Sequence, residues 1–243
     1  QKRINIISAA NVICHVPDLK NLIKGVNFLL NDNGFFIFEE PYLGSMYEKV
    51  SYDQIYDEHI YIFSVSSVNK IFKNFGFELI DAIPQSTHGG SMRYVLSRKG
   101  MNIVNSRVKK LLKKEKAKNI DNLKGCFKFK KNCEKSKKKL LNNIKKFKKN
   151  NKTIAGYGAT SKSTTILNYC GIDYNDVKFI CDTTPEKIGK YTPGTHIPIV
   201  SMKHFYSNLP DSIFLFAWNH KKEIFKKEKK IIKRVNWFAH VNL

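Results

Sequence analysis

The chain of 243 residues is 42% apolar and 12% aromatic, which is enough for the core of one large or two modest domains. Its formal net charge of +23 lies mostly between Arg107 and Lys152, and such a run indicates either a solvated basic helix or a surface for a polyanion. No apolar run reaches the roughly 20 residues of a membrane span, and we expect no signal peptide. Five cysteines without a Cys-x-x-Cys pair argue against a disulfide framework or a zinc cluster, so we expect the cytoplasm.

The first third of the chain predicts a parallel crossover unit. Ile4–Val12 has the pattern of a buried strand, and Leu19–Leu30 has helical spacing after a Pro-Asp start. Asn31–Gly34 predicts a turn and Phe35–Phe38 a second strand, so strand, helix and strand follow one another. Because Gln1 opens the chain in a strand-like run without a methionine, we expect a fragment of a longer protein.

The next residues predict a helix and a hairpin. Ser64–Phe75 is amphipathic at helical spacing, with Ser66 or Ser67 as its expected cap. Phe77–Ile83 and Met92–Ser97 are strand-like on either side of a glycine-bearing turn, so they are expected to pair antiparallel.

The rest of the chain predicts a Lys-rich helical connector and a second α/β domain. Residues 102–152 have a thin apolar stripe at helical spacing among many lysines. From Thr153 onward, short apolar strands alternate with helices, beginning with the strand Ile154–Gly156 and the helix Thr164–Cys170, in a Rossmann-like pattern.

Two polar clusters are candidates for catalysis. Residues 52–59 bring acidic groups and phenols next to His59, which can act as a general base near neutral pH; the alternative is a solvated loop. Asn11 and His15 follow the first strand, at the sheet edge where open α/β sheets bind ligands; the alternative is a structural histidine.

Three further segments are candidates for binding an anion. His88 and Arg93 flank a Gly-Gly turn, and the loop at residues 156–163 joins a strand to a helix N-terminus. A long polar loop then follows the strand that ends before Asp182. Ordinary turns and connections are the alternatives, and Asp182 also lies near the distance at which a dinucleotide fold holds ribose, so an NAD(P)-dependent oxidoreductase stays open.

Five segments, in this order, resemble the S-adenosylmethionine-dependent sugar C-methyltransferases, which act on nucleotide-linked 4-keto-6-deoxy sugars. The resemblance covers essentially the whole chain and rests on the strings NVICHVPDL, YDQIYDEHIYIFS, HGGSMRY, GYGATSKSTTILNY and YTPGTHIPIV. It implies half of a class I methyltransferase domain at residues 1–100, a helical connector at 101–152 and a smaller α/β domain at 153–243.

The resemblance also implies roles for individual residues. His59 would remove the C3′ proton next to the C4′ ketone, and the resulting enolate would attack the activated methyl group. The residues expected to assist catalysis are Tyr56, Glu58 and His15, and Asn11 is assigned to the cofactor. The residues assigned to the nucleotide-sugar substrate are His88, Arg93, Tyr157, Gly158, Ser161, Lys162, Asp182 and His196.

Departures from the family pattern limit these expectations. The family's N-terminal zinc domain and the glycine-rich loop that holds S-adenosylmethionine have no counterpart here, so we expect no metal site and no methylation by this chain alone. Ser161-Lys162-Ser163 stands where the family has Ala-Lys-Gly. A nucleic acid is not expected as a partner, although a basic polyanion-binding module remains the alternative, and the oligomeric state is left open.

Overall fold

The structure, a computed structural model, describes residues 3–243 and divides into two compact units. The first unit holds the described residues up to Glu48 together with Asp57–Lys130, and the second holds Lys49–Tyr56 together with Lys131–Leu243. Each unit has its own sheet with helices packed around it, which confirms the predicted α/β fold class. In the described part of the chain, no helix is both long and apolar enough to cross a membrane.

The sheet of the first unit has four strands in the order β1-β2-β4-β3. The pair β1 and β2 is parallel, whereas β4 is antiparallel to both of its neighbours, as the predicted crossover and hairpin require. The elements of this unit are β1 (Ile4–Ala10), α1 (Leu19–Leu29), β2 (Leu30–Pro41), α2 (Leu43–Lys49), α3 (Val65–Lys73), β3 (Phe77–Gln85), β4 (Ser91–Arg98) and α4 (Ser106–Ala117).

The turn predicted at residues 31–34 is wrong, because these residues lie within β2. The pairing with β1 moves from Ile4 opposite Leu30 to Ile6 opposite Phe35, so the turn-forming residues become an irregularity in the strand. A side chain at Gly34 would approach the carbonyl oxygen of Asn5 to 2.9 Å, which explains the need for glycine there.

The N-cap of α3 lies two or three residues before the predicted one. Ser64, rather than Ser66 or Ser67, is the N-cap, and its side chain accepts a hydrogen bond from the Ser67 backbone. The buried carboxylate of Glu115, from α4, accepts further bonds from the N–H groups of Val65 and Ser66 at 2.7 and 2.8 Å. Helix α4 therefore supplies a second cap for α3 and fastens it to the core.

Helix α5 (Leu123–Lys149) carries most of the predicted basic run. Cys133, Leu140 and Ile144 form its buried stripe, while its lysines are largely exposed. Leu123, at the first position of the helix, lies outside this stripe and is 75% exposed.

The predicted connector at 101–152 has no compact unit of its own. Helix α4 packs on α3 and β3 in the first unit, and the division between the units falls within α5, after Lys130. The short segment Lys49–Tyr56 groups with the second unit, although its sequence neighbours lie in the first.

The sheet of the second unit is entirely parallel and has the order β7-β6-β5-β8-β9. The chain runs outward from β5 in one direction and then returns to its other side, so β5 and β8 form a topological switch point. The elements are β5 (Ile154–Tyr157), α6 (Ser161–Cys170), β6 (Ile180–Cys181), β7 (Ile199–Val200), α7 (Met202–Ser207), β8 (Ser212–Leu215), α8 (Lys221–Lys227) and β9 (Asn236–Phe238).

Candidate active site

The carboxyl ends of β1 and β2 form the sheet edge from which the candidate site is built. Asn11 leaves β1 in the left-handed region, with φ of 55°, and its N–H donates to the carbonyl of Glu39 at 2.9 Å. The side-chain oxygen of Asn11 is buried and accepts no hydrogen bond from any residue in the described range 3–243. This oxygen is the kind of unsatisfied group that a bound ligand can satisfy.

The loop that carries His15 is held by a buried carboxylate. Glu40, at the end of β2, accepts hydrogen bonds from the backbone N–H groups of three successive residues, at 3.0 Å from Val12, 2.6 Å from Ile13 and 3.3 Å from Cys14. Three converging N–H groups satisfy the hydrogen-bonding capacity of the carboxylate, and the carboxylate in turn holds the conformation of the loop. Burial, with Glu40 beside it, raises the pKa of the Cys14 thiol well above its usual range.

His15, Glu58 and His59 come together in the first unit. Nδ1 of His15 lies 2.6 Å from the Glu58 carbonyl oxygen, and the rings of His15 and His59 have centroids 5.2 Å apart. Tyr61 ties the two loops together: its N–H donates to Cys14 and its hydroxyl to the Pro17 carbonyl.

A cavity of about 400 Å³ opens at this cluster, lined by His15, Asp57, Glu58 and Ile60. Its walls carry two carboxylates and an imidazole, so it offers acid, base and hydrogen-bonding groups within a small volume. Tyr56, also assigned to catalysis, is the last residue of the segment that groups with the second unit.

The Gly-Gly hairpin lies at the same, carboxyl end of β2, where β4 pairs with the side of β2 opposite β1. The guanidinium of Arg93 pairs with the carboxylate of Glu39 at 2.9 Å, and Thr87 donates its hydroxyl to the same carboxylate. His88 is exposed and left-handed, with φ of 51°. Arg93 therefore already has one carboxylate partner, which leaves part of its guanidinium for the predicted phosphate.

In the second unit, two charged side chains hold the loop after β5 by hydrogen bonds to its backbone. Asp182 accepts hydrogen bonds from the N–H groups of Ala159 and Thr184 at 2.7 and 2.8 Å, and Lys187 donates to the carbonyl of Ala159. Both carboxylate oxygens of Asp182 are thus used by the protein itself. This arrangement disfavours the dinucleotide alternative, which needs an acidic side chain for the ribose.

A cavity of about 390 Å³ lies at the switch point of this sheet. Tyr157, Gly158 and Asp182 line it, whereas the predicted substrate residues Ser161, Lys162 and His196 do not. Gly158 has φ of 92°, a conformation that favours glycine at this position. Thr160 is the N-cap of α6, and the helix begins at Ser161 rather than at the predicted Thr164. His196, also left-handed, is exposed on the long loop.

A buried polar group lies under α6. Trp218 donates its indole N–H to Asp53 at 2.6 Å, and Nε2 of His240 lies 3.2 Å from the other oxygen of Asp53. The ammonium of Lys162 stands 5.3 Å above the Trp218 ring. Burial lowers the pKa of Lys162, and the positive charge of Lys49 acts in the same direction, while Asp53 opposes both.

Comparison with known proteins agrees with these motifs. The family profile described as "C-methyltransferase C-terminal domain" matches residues 86–241, well over half of the chain. The chain belongs to the C-methyltransferase family. A second profile, described as "Methyltransferase domain", matches residues 1–82, which include β1, β2 and the loops of His15 and His59.

The chain is similar in sequence to C-methyltransferase NovU from Streptomyces niveus. It is 30% identical over 228 residues, which cover 93% of this chain and 54% of NovU. The chain therefore spans about half the length of this C-methyltransferase.

Sequence reasoning gave no role to Glu40, the residue that holds the His15 loop. The one signal in the sequence is an acidic residue directly after the apolar run that ends at Phe38. A second acidic residue, Glu39, precedes it, and strand alternation alone does not show which of the two points into the core.

Proposed function

We propose that this chain takes part in the transfer of a methyl group from S-adenosylmethionine to a carbon, C3′, of a nucleotide-linked 4-keto-6-deoxy sugar. The observation that carries the proposal is the cavity lined by His15 and Glu58 near the carboxyl edge of β1 and β2, with the ring of His59 5.2 Å from that of His15. Membership of the C-methyltransferase family supports transfer to carbon.

His59 is the general base of the proposed reaction. It takes the proton from the carbon next to the ketone, so the C–H electron pair moves toward the carbonyl and negative charge develops on the enolate oxygen. The hydrogen bond of His15 to the Glu58 carbonyl orients the His15 ring, whose other nitrogen can then contact the sugar. Tyr56 and Glu58 complete the proposed set of groups that hold the sugar and stabilise the enolate.

The proposed reaction also requires residues at this edge of the sheet that hold S-adenosylmethionine. S-adenosylmethionine, when bound, supplies an electrophilic methyl group that the enolate carbon accepts. Asn11 fits a role in holding it, because its buried side-chain oxygen has no partner in the described range 3–243 and it lies directly after β1. Glu40 positions the adjoining residues by its three backbone contacts.

Each unit by itself carries predicted residues that are our candidates for binding an anionic group of the nucleotide. In the first unit these are His88 and Arg93; in the second they are Tyr157, Gly158, Ser161, Lys162, Asp182 and His196. Gly158 and Ser161 lie at the N-terminus of α6, where backbone N–H groups favour an anion. Because both carboxylate oxygens of Asp182 already accept hydrogen bonds from backbone N–H groups, we assign Asp182 to holding the loop after β5.

A labelled-methyl experiment tests the reaction. The protein at its natural full length is incubated with ¹³C-methyl S-adenosylmethionine and thymidine-diphosphate 4-keto-6-deoxyglucose, and the product is examined by NMR. We expect the labelled methyl group to be bonded to C3′ of the sugar ring. Label on an oxygen or nitrogen atom, or a sugar left unchanged while another added acceptor is methylated, would contradict the proposal.

A further inference from the structure

Three side chains with metal-binding atoms, two of them from the candidate active site, meet in the first unit. The ligand atoms of Cys14, His15 and His59 all lie within 4.8 Å of one another. In a tetrahedral zinc site, with bonds of about 2.0–2.3 Å, neighbouring ligand atoms are roughly 3.5 Å apart. Movements of about 1 Å by the side chains would therefore bring the three atoms to one ion.

The surroundings of His15 match those of a metal-bound histidine. A carbonyl oxygen only accepts hydrogen bonds, so the 2.6 Å contact with Glu58 requires the proton of His15 on Nδ1. Nε2 then carries the lone pair that a metal needs. Metal-binding histidines commonly donate their other N–H to a backbone carbonyl in this way.

The charge around the cluster also favours a cation. The chain as a whole carries +23, yet the cavity at His15 is lined by the carboxylate residues Asp57 and Glu58. The third ligand, Cys14, is buried, is not part of a disulfide and sits next to the loop amides held by Glu40. A sulfur ligand with two imidazoles selects ions of the zinc class over magnesium or calcium.

We propose that Cys14 Sγ, His15 Nε2 and an imidazole nitrogen of His59 bind a divalent transition-metal ion of the zinc class, and that this ion switches the active site off. On binding, the S–H bond of Cys14 breaks, a sulfur–metal bond forms and the proton passes to water. The lone pair of His59 is then bound to the metal and cannot accept the substrate proton. The inhibitory effect rests on the proposed function; the metal site itself does not.

Cobalt is the probe for the site, because a cysteine–Co²⁺ bond gives a near-ultraviolet charge-transfer band. We expect this band when Co²⁺ is added to the chain, and its displacement by Zn²⁺. Cys14→Ser should remove the band and weaken Zn²⁺ binding by about 100-fold or more, since loss of outer partners alone costs 10–100-fold. Cys126→Ser, which changes an exposed cysteine of the same unit, should leave both unchanged.

A band that survives in Cys14→Ser, or that disappears in Cys126→Ser, would show binding to another thiol and overturn the site. The same holds for a band that survives in both His15→Asn and His59→Asn. Circular dichroism of each variant confirms that it is folded, so a lost band reports the ligand and not the fold.

The regulatory effect is measured on a half-reaction, the exchange of the C3′ hydrogen of the keto sugar with D₂O. We expect Zn²⁺ to stop this exchange in the wild type but not in Cys14→Ser. Equal inhibition of both proteins would contradict the switch. Exchange that never occurs, together with a normal cobalt band, would instead reject the proposed function while the metal site stands.

Discussion

The buried carboxylate of Glu40 accepts a hydrogen bond from the backbone N–H of Ile13 at 2.6 Å, across 27 positions of sequence. This contact, with its two neighbours in the same loop, joins the end of β2 to the residues that present His15. The candidate active site is therefore held in place by a residue that does not line its cavity.

Replacing Glu40 by alanine should lower both stability and activity. Three backbone N–H groups would lose a charged acceptor, which we expect to cost about 3 kcal/mol of the free energy of unfolding. Glu40→Gln retains an acceptor oxygen and should recover part of this loss. Urea denaturation checks the stability, and hydrogen exchange at C3′ checks the site; equal stability of all three proteins would contradict the role of Glu40.

Glu115→Ala should destabilise the first unit by about 3 kcal/mol, because the N-terminus of α3 would lose the carboxylate that accepts from Val65 and Ser66. The matched control is Glu134→Ala, which removes an exposed carboxylate on α5 and should cost little. Chemical denaturation of both variants checks this; similar free energies of unfolding would argue against a capping role for Glu115.

Trp218→Phe should destabilise the second unit by about 2 kcal/mol, because Asp53, which is buried, would lose its 2.6 Å partner. Trp237→Phe is the matched control, since Nε1 of Trp237 has no hydrogen-bond partner in the described range 3–243 and its loss breaks no bond. Thermal unfolding followed by circular dichroism distinguishes the two. A smaller effect at Trp218 than at Trp237 would be inconsistent with the bond to Asp53.

Acid should weaken the second unit through Asp211. Hydrogen bonds from the N–H and hydroxyl of Thr153 lower the pKa of the Asp211 carboxyl below its ordinary value of 3.8. A lowered folded-state pKa contributes stability above the unfolded value and loses it as pH falls through the folded value. Asp211→Asn should therefore be less stable than the wild type at pH 7, and the difference should shrink as the pH falls below 3.8; a difference that does not change with pH would contradict this.

Much of the fold follows from local sequence patterns. The apolar runs of β1 and β5 and the glycine-bearing hairpin before β4 predicted strands that the structure contains, although β1, predicted as a buried strand, is mostly exposed. The turn at residues 31–34 failed because pairing with β1 overrides the local preference of Asn, Asp and Gly. The predicted cap of α3 was wrong because several serines near the start of the helix are suitable caps, and in the structure Ser64 forms a capping box with Ser67.

The candidate site, like the fold, could be predicted only in part from the sequence. Local patterns predicted His15, which follows the first strand, and His59, which lies in a short run rich in acidic groups and phenols. Their closeness depends on contacts between residues about 45 positions apart, which no local pattern contains. Cys14 was not assigned a role because sequence rules for metal sites look for paired cysteines, whereas here the structure joins a cysteine to two histidines.

The most direct test of the central claim is the exchange of the C3′ hydrogen of thymidine-diphosphate 4-keto-6-deoxyglucose with D₂O, followed by NMR in the absence of S-adenosylmethionine. The wild-type chain should speed this exchange, and His59→Gln should slow it by at least about 100-fold, the usual contribution of a general base. His204→Gln, which changes an exposed histidine of the second unit, should exchange at the wild-type rate. Wild-type exchange in His59→Gln would contradict the account, because the enolate would then form without its proposed base.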